Sequence, residues 1–162
     1  LFSTFTDKIQ EIEALPSNHT TIQARINLAH TMMAIREQIP TATSHQEIAQ
    51  ILALAVQQAK DLGNPRILSY ALGTLGNVYE QSPKGDKKWE YAQKLTEEAL
   101  QLAQQINAGD IAYIWQWQLG RVTKAQGKTE SAIAAYKEAV GTIKSLRADL
   151  AAANPDLQGN WI

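Results

Sequence analysis

The chain has 162 residues, with fifteen Lys+Arg against sixteen Asp+Glu and a formal net charge of −1. That balance excludes a strongly basic nucleic-acid surface, and 44% apolar against 19% charged residues excludes a disordered chain. There are no cysteines, so disulfides, thiolate metal sites and cysteine nucleophiles are out, and neither redox compartment is favoured. No apolar run approaches a transmembrane length. Neither a nucleic-acid nor a membrane partner is therefore expected, and the expected compartment is the cytoplasm. The chain begins at Leu1 rather than Met, with no charged leader before an apolar stretch, and reads as a piece of something longer. Its length suits one domain, 1–162.

Phe2, Phe5, Ile9 and Ile12 recur at helical spacing before Leu15-Pro16, which predicts a first helix over 2–15. A second helix is expected from about Thr20 to Ile39, with Ile22, Ile26, Ala29 and Met33 on one face and Pro40 closing it. Ser44 and Glu47 read as a capping box opening a third helix that carries Ile48, Leu52, Ala55, Ala59 and Leu62. Gly63-Asn64-Pro65 supplies a helix stop, a cap and a tolerated first-turn proline. The fourth helix runs to about Gln81, where Ser82–Asp86 makes a turn, and the fifth spans about Lys87 to Ile106. Ala108-Gly109-Asp110 opens the sixth, the seventh runs from about Thr129 to Ala153, and a tail, 154–162, begins at Asn154-Pro155. The fold class is all-α, with about seven helices joined by short turns and hence antiparallel neighbours.

Self-similarity turns the reading from a bundle into an array. Leu75-Gly76 and Leu119-Gly120 stand 44 residues apart. Each is followed by a helix with matching positions: Ala92, Thr96, Ala99, Ala103 and Ile106 correspond to Ala132, Tyr136, Ala139, Ile143 and Leu146, and both sets to Ile48, Leu52, Ala55, Ala59 and Leu62. A helix pair of about 40 residues cannot bury its apolar stripe alone, so stacked neighbours supply the core. The repeats fall at about 20–62, 65–106 and 110–153, preceded by an orphan helix at 2–15 whose own partner is expected upstream.

These marks resemble tetratricopeptide (TPR) helix pairs. Leu119-Gly120, Ala132-Ile133, Tyr136 and Ala139 follow the TPR pattern most closely. Leu72, Leu75-Gly76, Tyr79, Ala92 and Ala99 follow it with a longer turn, and Leu28-Ala29 with Met32 is degenerate. Gln116 and Thr123 depart from the large apolar residue and Tyr usual at their positions. The segments 69–73, 110–121 and 145–150 are similar to the TPR region of bacterial, especially cyanobacterial, CHAT proteins, in which a caspase-like domain follows the repeats. The resemblance covers about Ile26 to Gln158 and implies a right-handed α-solenoid. It carries over no catalytic residue, because the protease-like half would lie beyond Ile162.

An enzyme is not expected. His19, His30 and His45 are separated by 11 and 15 residues, which matches no zinc motif. Glu11 with Glu13 and Glu97 with Glu98 read as solvated faces, and no phosphate loop or nucleophile elbow occurs. No catalytic, cofactor-binding or metal-ligating residue is therefore expected. The first helix of each TPR pair lines a concave surface, which would present Tyr70, Asn77 and Glu80 from one repeat and Trp117, Arg121 and Lys124 from the next. His30 falls at a groove position as well. Trp115 and Trp117 point about 200° apart on one helix. Trp115 is expected between helices, and Trp117 in the groove opposite Gly73, as packing or as a ligand shelf. Arg121 and Lys124 either engage an acidic group, with binding that weakens in salt, or are simply solvated.

The function these features imply is a non-catalytic interaction module. Its groove would hold a peptide segment of a partner protein or of the chain's own downstream caspase-like domain. The alternative is a structural spacer or oligomerisation element with no ligand.

Overall fold

The computed structural model describes residues 10–12, 14–82 and 86–153. Most of the expected first helix, the 83–85 part of the long turn, and the tail with Trp161 lie outside them. Residues 10–12 are helical, and among the described residues after them six α-helices follow in order: α1 His19–Gln38, α2 His45–Leu62, α3 Pro65–Gln81, α4 Asp86–Gln105, α5 Gly109–Ala125 and α6 Thr129–Ala153. Among the described residues there is no strand.

The helix boundaries follow local chemistry. At α1, Asn18 Oδ1 accepts from the Thr21 N–H at 3.0 Å, while Thr21 Oγ1 accepts from the Asn18 N–H at 3.1 Å. Thr21 thus does the work usually given to Glu in a capping box, which is why α1 begins at His19 rather than Thr20. Ser44 and Glu47 form the expected box at α2. Gly63 ends α2 with φ of 65°, in the left-handed region where a Cβ is costly. Asn64 Oδ1 then accepts from the N–H groups of Arg66 and Ile67, with Pro65 in the first turn of α3.

Each helix packs chiefly on its neighbours in sequence, and α3 also touches both α1 and α5. Burial divides into two apolar clusters that share partly buried Val56, Leu68, Tyr70 and Leu95. The first joins α1, α2 and α3 through Ile22, Ile26, Met32, Ile48, Leu52 and Ile67. The second is built on small residues: Ala99 and Ala103 of α4 lie against Ile111, Ala112 and Trp115 of α5. Burial of aliphatic side chains contributes roughly 1.5–3 kcal/mol each, so the first cluster supplies much of the driving force. Leu62 and Ile143, expected on the apolar stripe, are instead exposed. Leu62 is the last residue of α2, and no described helix follows α6 to cover Ile143.

Two glycines 44 residues apart, Gly76 and Gly120, each approach the following helix closely. A Cβ on Gly76 would lie 2.9 Å from Thr96 Oγ1, and one on Gly120 would lie 2.5 Å from the Tyr136 ring. Thr96 and Tyr136 are themselves equivalent positions, so the same close approach of two helices recurs with a small and then a large partner. Polar links also join equivalent positions: His30 Nε2 lies 3.3 Å from Thr74 Oγ1, and Arg66 pairs with Asp110, each at a separation of 44 residues. At the two departures from the TPR pattern, Thr142 Oγ1 donates to buried Gln116 Oε1 at 2.8 Å, and Thr123 Oγ1 donates to the Leu119 carbonyl at 2.7 Å. Internal partners thus replace the missing apolar bulk.

One feature ties the stack to the segment before it. Arg25 is fully buried, and its Nη2 donates to the carbonyls of Ile12 and Leu15 at 2.7 and 3.1 Å. A cation over helix-terminal carbonyls offsets both the unmet acceptors and the negative end of the dipole.

Candidate functional site

The site is assembled from the facing sides of α3 and α5. Tyr70, Thr74 and Asn77 of α3 recur at four and three residues, and Tyr113, Trp117 and Arg121 of α5 recur at four and four. Each set therefore forms one face of its helix. Together with His30 of α1 they line a hollow of about 280 Å³, whose wall also includes Ile114, Trp115 and Gln118.

Its floor is fixed by a buried polar chain. Trp115 Nε1 donates to Ser69 Oγ at 2.9 Å, and Ser69 Oγ donates to the Ala99 carbonyl at 2.7 Å. Gln118 Nε2 donates to the Gly73 carbonyl and to Thr96 Oγ1, each at 2.8 Å, and Thr96 Oγ1 donates to the Ala92 carbonyl at 2.6 Å. Buried polar groups satisfied in this way hold their rotamers, so the hollow has a preformed base.

The two tryptophans divide as their phase predicts, with one correction. Trp115 is 3% exposed and Trp117 is 47% exposed. Gly73, however, faces Trp115 and not Trp117: a Cβ there would lie 2.5 Å from the Trp115 ring. The missing side chain is a slot for the buried indole. Trp117 instead meets Tyr136 of α6 edge-on, with ring centroids 4.9 Å apart. Tyr70 stacks edge-on against Trp115 at 6.1 Å.

Electrostatics differ from the expected pattern. Arg121 donates through Nε and Nη2 to the two carboxylate oxygens of Glu80 at 2.7 and 2.9 Å. This bidentate hydrogen bond raises the Arg121 pKa further. Arg121 is thus engaged by a carboxylate of its own chain and is not an open anion site. Glu80 reaches the site through that pair and does not line the hollow. Lys124 is exposed and is also not among the lining residues. It shares the phase of Trp117 but lies roughly 10 Å further along the helix axis, past the Arg121–Glu80 pair. Of Asn77, Trp117, Arg121 and Lys124, the first three line the hollow and Lys124 does not. Burial lowers the His30 pKa, which favours neutral imidazole beside Thr74, and burial raises that of the Tyr70 phenol.

Thr74, Tyr113, Ile114 and Gln118 were not singled out by sequence reasoning as lining residues. Helical spacing carried the signal for two of them, since Tyr113 precedes Trp117 by four and Thr74 precedes Asn77 by three. Elsewhere, Trp89 lines a separate hollow with Glu90, Gln126 and Lys128. Among the described residues no three metal-ligating side chains gather in one place, and no helix is long and apolar enough to cross a membrane. No family model, curated protein or solved structure matches the chain.

Proposed function

We propose that this chain is a non-catalytic interaction module, a right-handed α-solenoid of TPR-like helix pairs whose hollow receives a peptide segment. The observation that carries the reading is Trp117, a large ring 47% exposed in the wall of a preformed hollow. Aromatic side chains usually bury when they can, and an exposed one on a rigid wall gives contact area at low entropic cost. The recurrence of one helix approach at Gly76 and Gly120 supports the repeat architecture. Equal internal compensation of charge, with Arg121 held by Glu80 and His30 favoured neutral, makes the suited occupant an apolar or aromatic side chain on an extended segment. Following the CHAT resemblance, that segment comes from a partner or from a downstream caspase-like domain, in the cytoplasm.

The test is selection of peptides from a random display library against the chain, followed by titration against wild type and Trp117→Ala. The reading expects the selected peptides to lose about tenfold or more in affinity for the variant, in the range of an aromatic anchor, with little dependence on salt. Peptides that bind both proteins equally would refute it. The Glu80–Arg121 pair, a strut between α3 and α5, favours a second reading as a ligand-free spacer. A spacer that self-associates would sediment as a dimer when alone, whereas a groove binder would sediment as a monomer.

A further inference from the structure

Among the described residues no helix covers the outer apolar face of α6, and the chain's own repeats indicate what fits it. Val56, Leu100 and Val140 occupy equivalent positions, as do Ala59, Ala103 and Ile143. In the first two units the next helix packs on that face, α3 on α2 and α5 on α4. Leu100 is accordingly 8% exposed and Ala59 and Ala103 are fully buried, whereas Val140 and Ile143 are 44% and 37% exposed. With Ile133, also exposed, and Tyr136, Val140 walls a shallow hollow of about 450 Å³ bordered along one side by Lys137 and Lys144.

We propose that α6 is a docking face for an amphipathic helix supplied by a partner polypeptide, apolar toward α6 and acidic along the flank that meets Lys137 and Lys144. The covering helices supply the template. Ile67, Leu68 and Ala71 of α3 and Ile111, Ala112 and Trp115 of α5 occupy the same positions and enter the two clusters. A helix that covers this kind of face therefore presents apolar residues at i, i+1 and i+4. Because Ile143 stands where Ala59 and Ala103 stand in the covered units, the partner needs a small residue against it. Lys137 and Lys144 lie seven residues apart, on one side of the face, and set the charge: an acidic flank there gains from both, whereas a second copy of α6 laid antiparallel would bring these lysines against their own equivalents.

The probe is a synthetic helix-forming peptide with Ile, Ala and Ala at i, i+1 and i+4 and Glu on both flanks, compared with the same peptide flanked by Lys. Calorimetric titration against the full chain should show the Glu-flanked peptide binding, and binding at least about tenfold tighter than the Lys-flanked one. Val140→Glu, at an exposed position, should retain the wild-type melt and lose at least about tenfold in affinity. Should that variant fail to fold, the double change Lys137→Glu with Lys144→Glu serves instead, and it should reverse the preference between the two peptides. The proposal is overturned if the Glu-flanked peptide does not bind, if folded Val140→Glu binds it as wild type does, or if the charge swap leaves the preference unchanged. A wild-type dimer in sedimentation that Val140→Glu dissociates would also overturn it, giving the face to a second copy.

Discussion

Gly73→Ala is the most informative single perturbation, because one methyl group would meet a rigid, tethered ring. The added Cβ would lie 2.5 Å from Cη2 and Cζ2 and 2.6 Å from Cδ2 of Trp115, about an ångström inside ordinary contact. Trp115 is 3% exposed and has no flexible end to withdraw. Moving it strains the 2.9 Å bond from its Nε1 to Ser69. Overpacking costs roughly 1–3 kcal/mol, and loosening a buried hydrogen bond adds about 1 kcal/mol. Better helix propensity returns up to about 1 kcal/mol. The net expectation is a loss of about 1–3 kcal/mol, or roughly 3–10 °C in melting temperature for a chain of this size. Gly141→Ala is the control: it lies in α6 with nothing within 4 Å of an added Cβ, so it should be neutral or stabilising by up to about 1 kcal/mol. Thermal melts by circular dichroism, with tryptophan fluorescence to follow the indole, make the comparison. If Gly73→Ala melts at or above wild type, as Gly141→Ala should, the close approach of α3 and α5 is not what the packing requires.

Gly76→Leu and Ala139→Leu should each lower the midpoint by more than Arg121→Ala in denaturant titrations, since both enter closed helix contacts. Arg121→Ala should nonetheless cost up to about 1 kcal/mol, because it leaves the largely buried Glu80 carboxylate without its bidentate partner; a double-mutant cycle with Glu80→Gln isolates that coupling. Ser44→Ala should cost about 1 kcal/mol at the start of α2, measurable by the same titration, through loss of the cap to the Glu47 N–H. Burial lowers the pKa of both His30 and His45 from 6.5, with the Arg36 and Lys88 charges adding to the shift at His45. The unfolded chain therefore takes up protons first. Stability should be level above about pH 6.5 and fall as pH drops below it, and His30→Gln with His45→Gln should flatten that slope in melts across pH.

Helix order was legible because its punctuation is chemical: Ser44 with Glu47, and Gly63-Asn64-Pro65, act through backbone groups within four residues. The apolar stripes were legible for the same reason, being local periodicities. The partner of Gly73 was not. Trp115 and Trp117 differ by two residues, and which of them meets α3 depends on the rotation of α5 as a whole, which Ser69 and Ala99 help to fix from 46 and 16 residues away. Arg121 illustrates the same gap in electrostatics. Glu80 was visible as a neighbour in the groove register, but its bidentate geometry rests on the distance between two helices. Arg25 was missed altogether, because an arginine among apolar neighbours gives no local sign that carbonyls ten and thirteen residues upstream await it.

The polar links between successive units have a consequence for how the chain reaches its native state. The bonds between Arg66 and Asp110, His30 and Thr74, Trp115 and Ser69, and Arg121 and Glu80 each span 41 to 46 residues. No step of assembly that forms them has to close a loop longer than that, so the entropy of closure stays nearly constant as each helix pair is added. In the repeat array proposed above, folding could then begin wherever two adjacent pairs first meet and spread outward in both directions, at a rate set by the unit rather than by the length of the array. The α1–α3 end, where the large aliphatic side chains gather, is the natural starting point, and α6 would be the last to be consolidated.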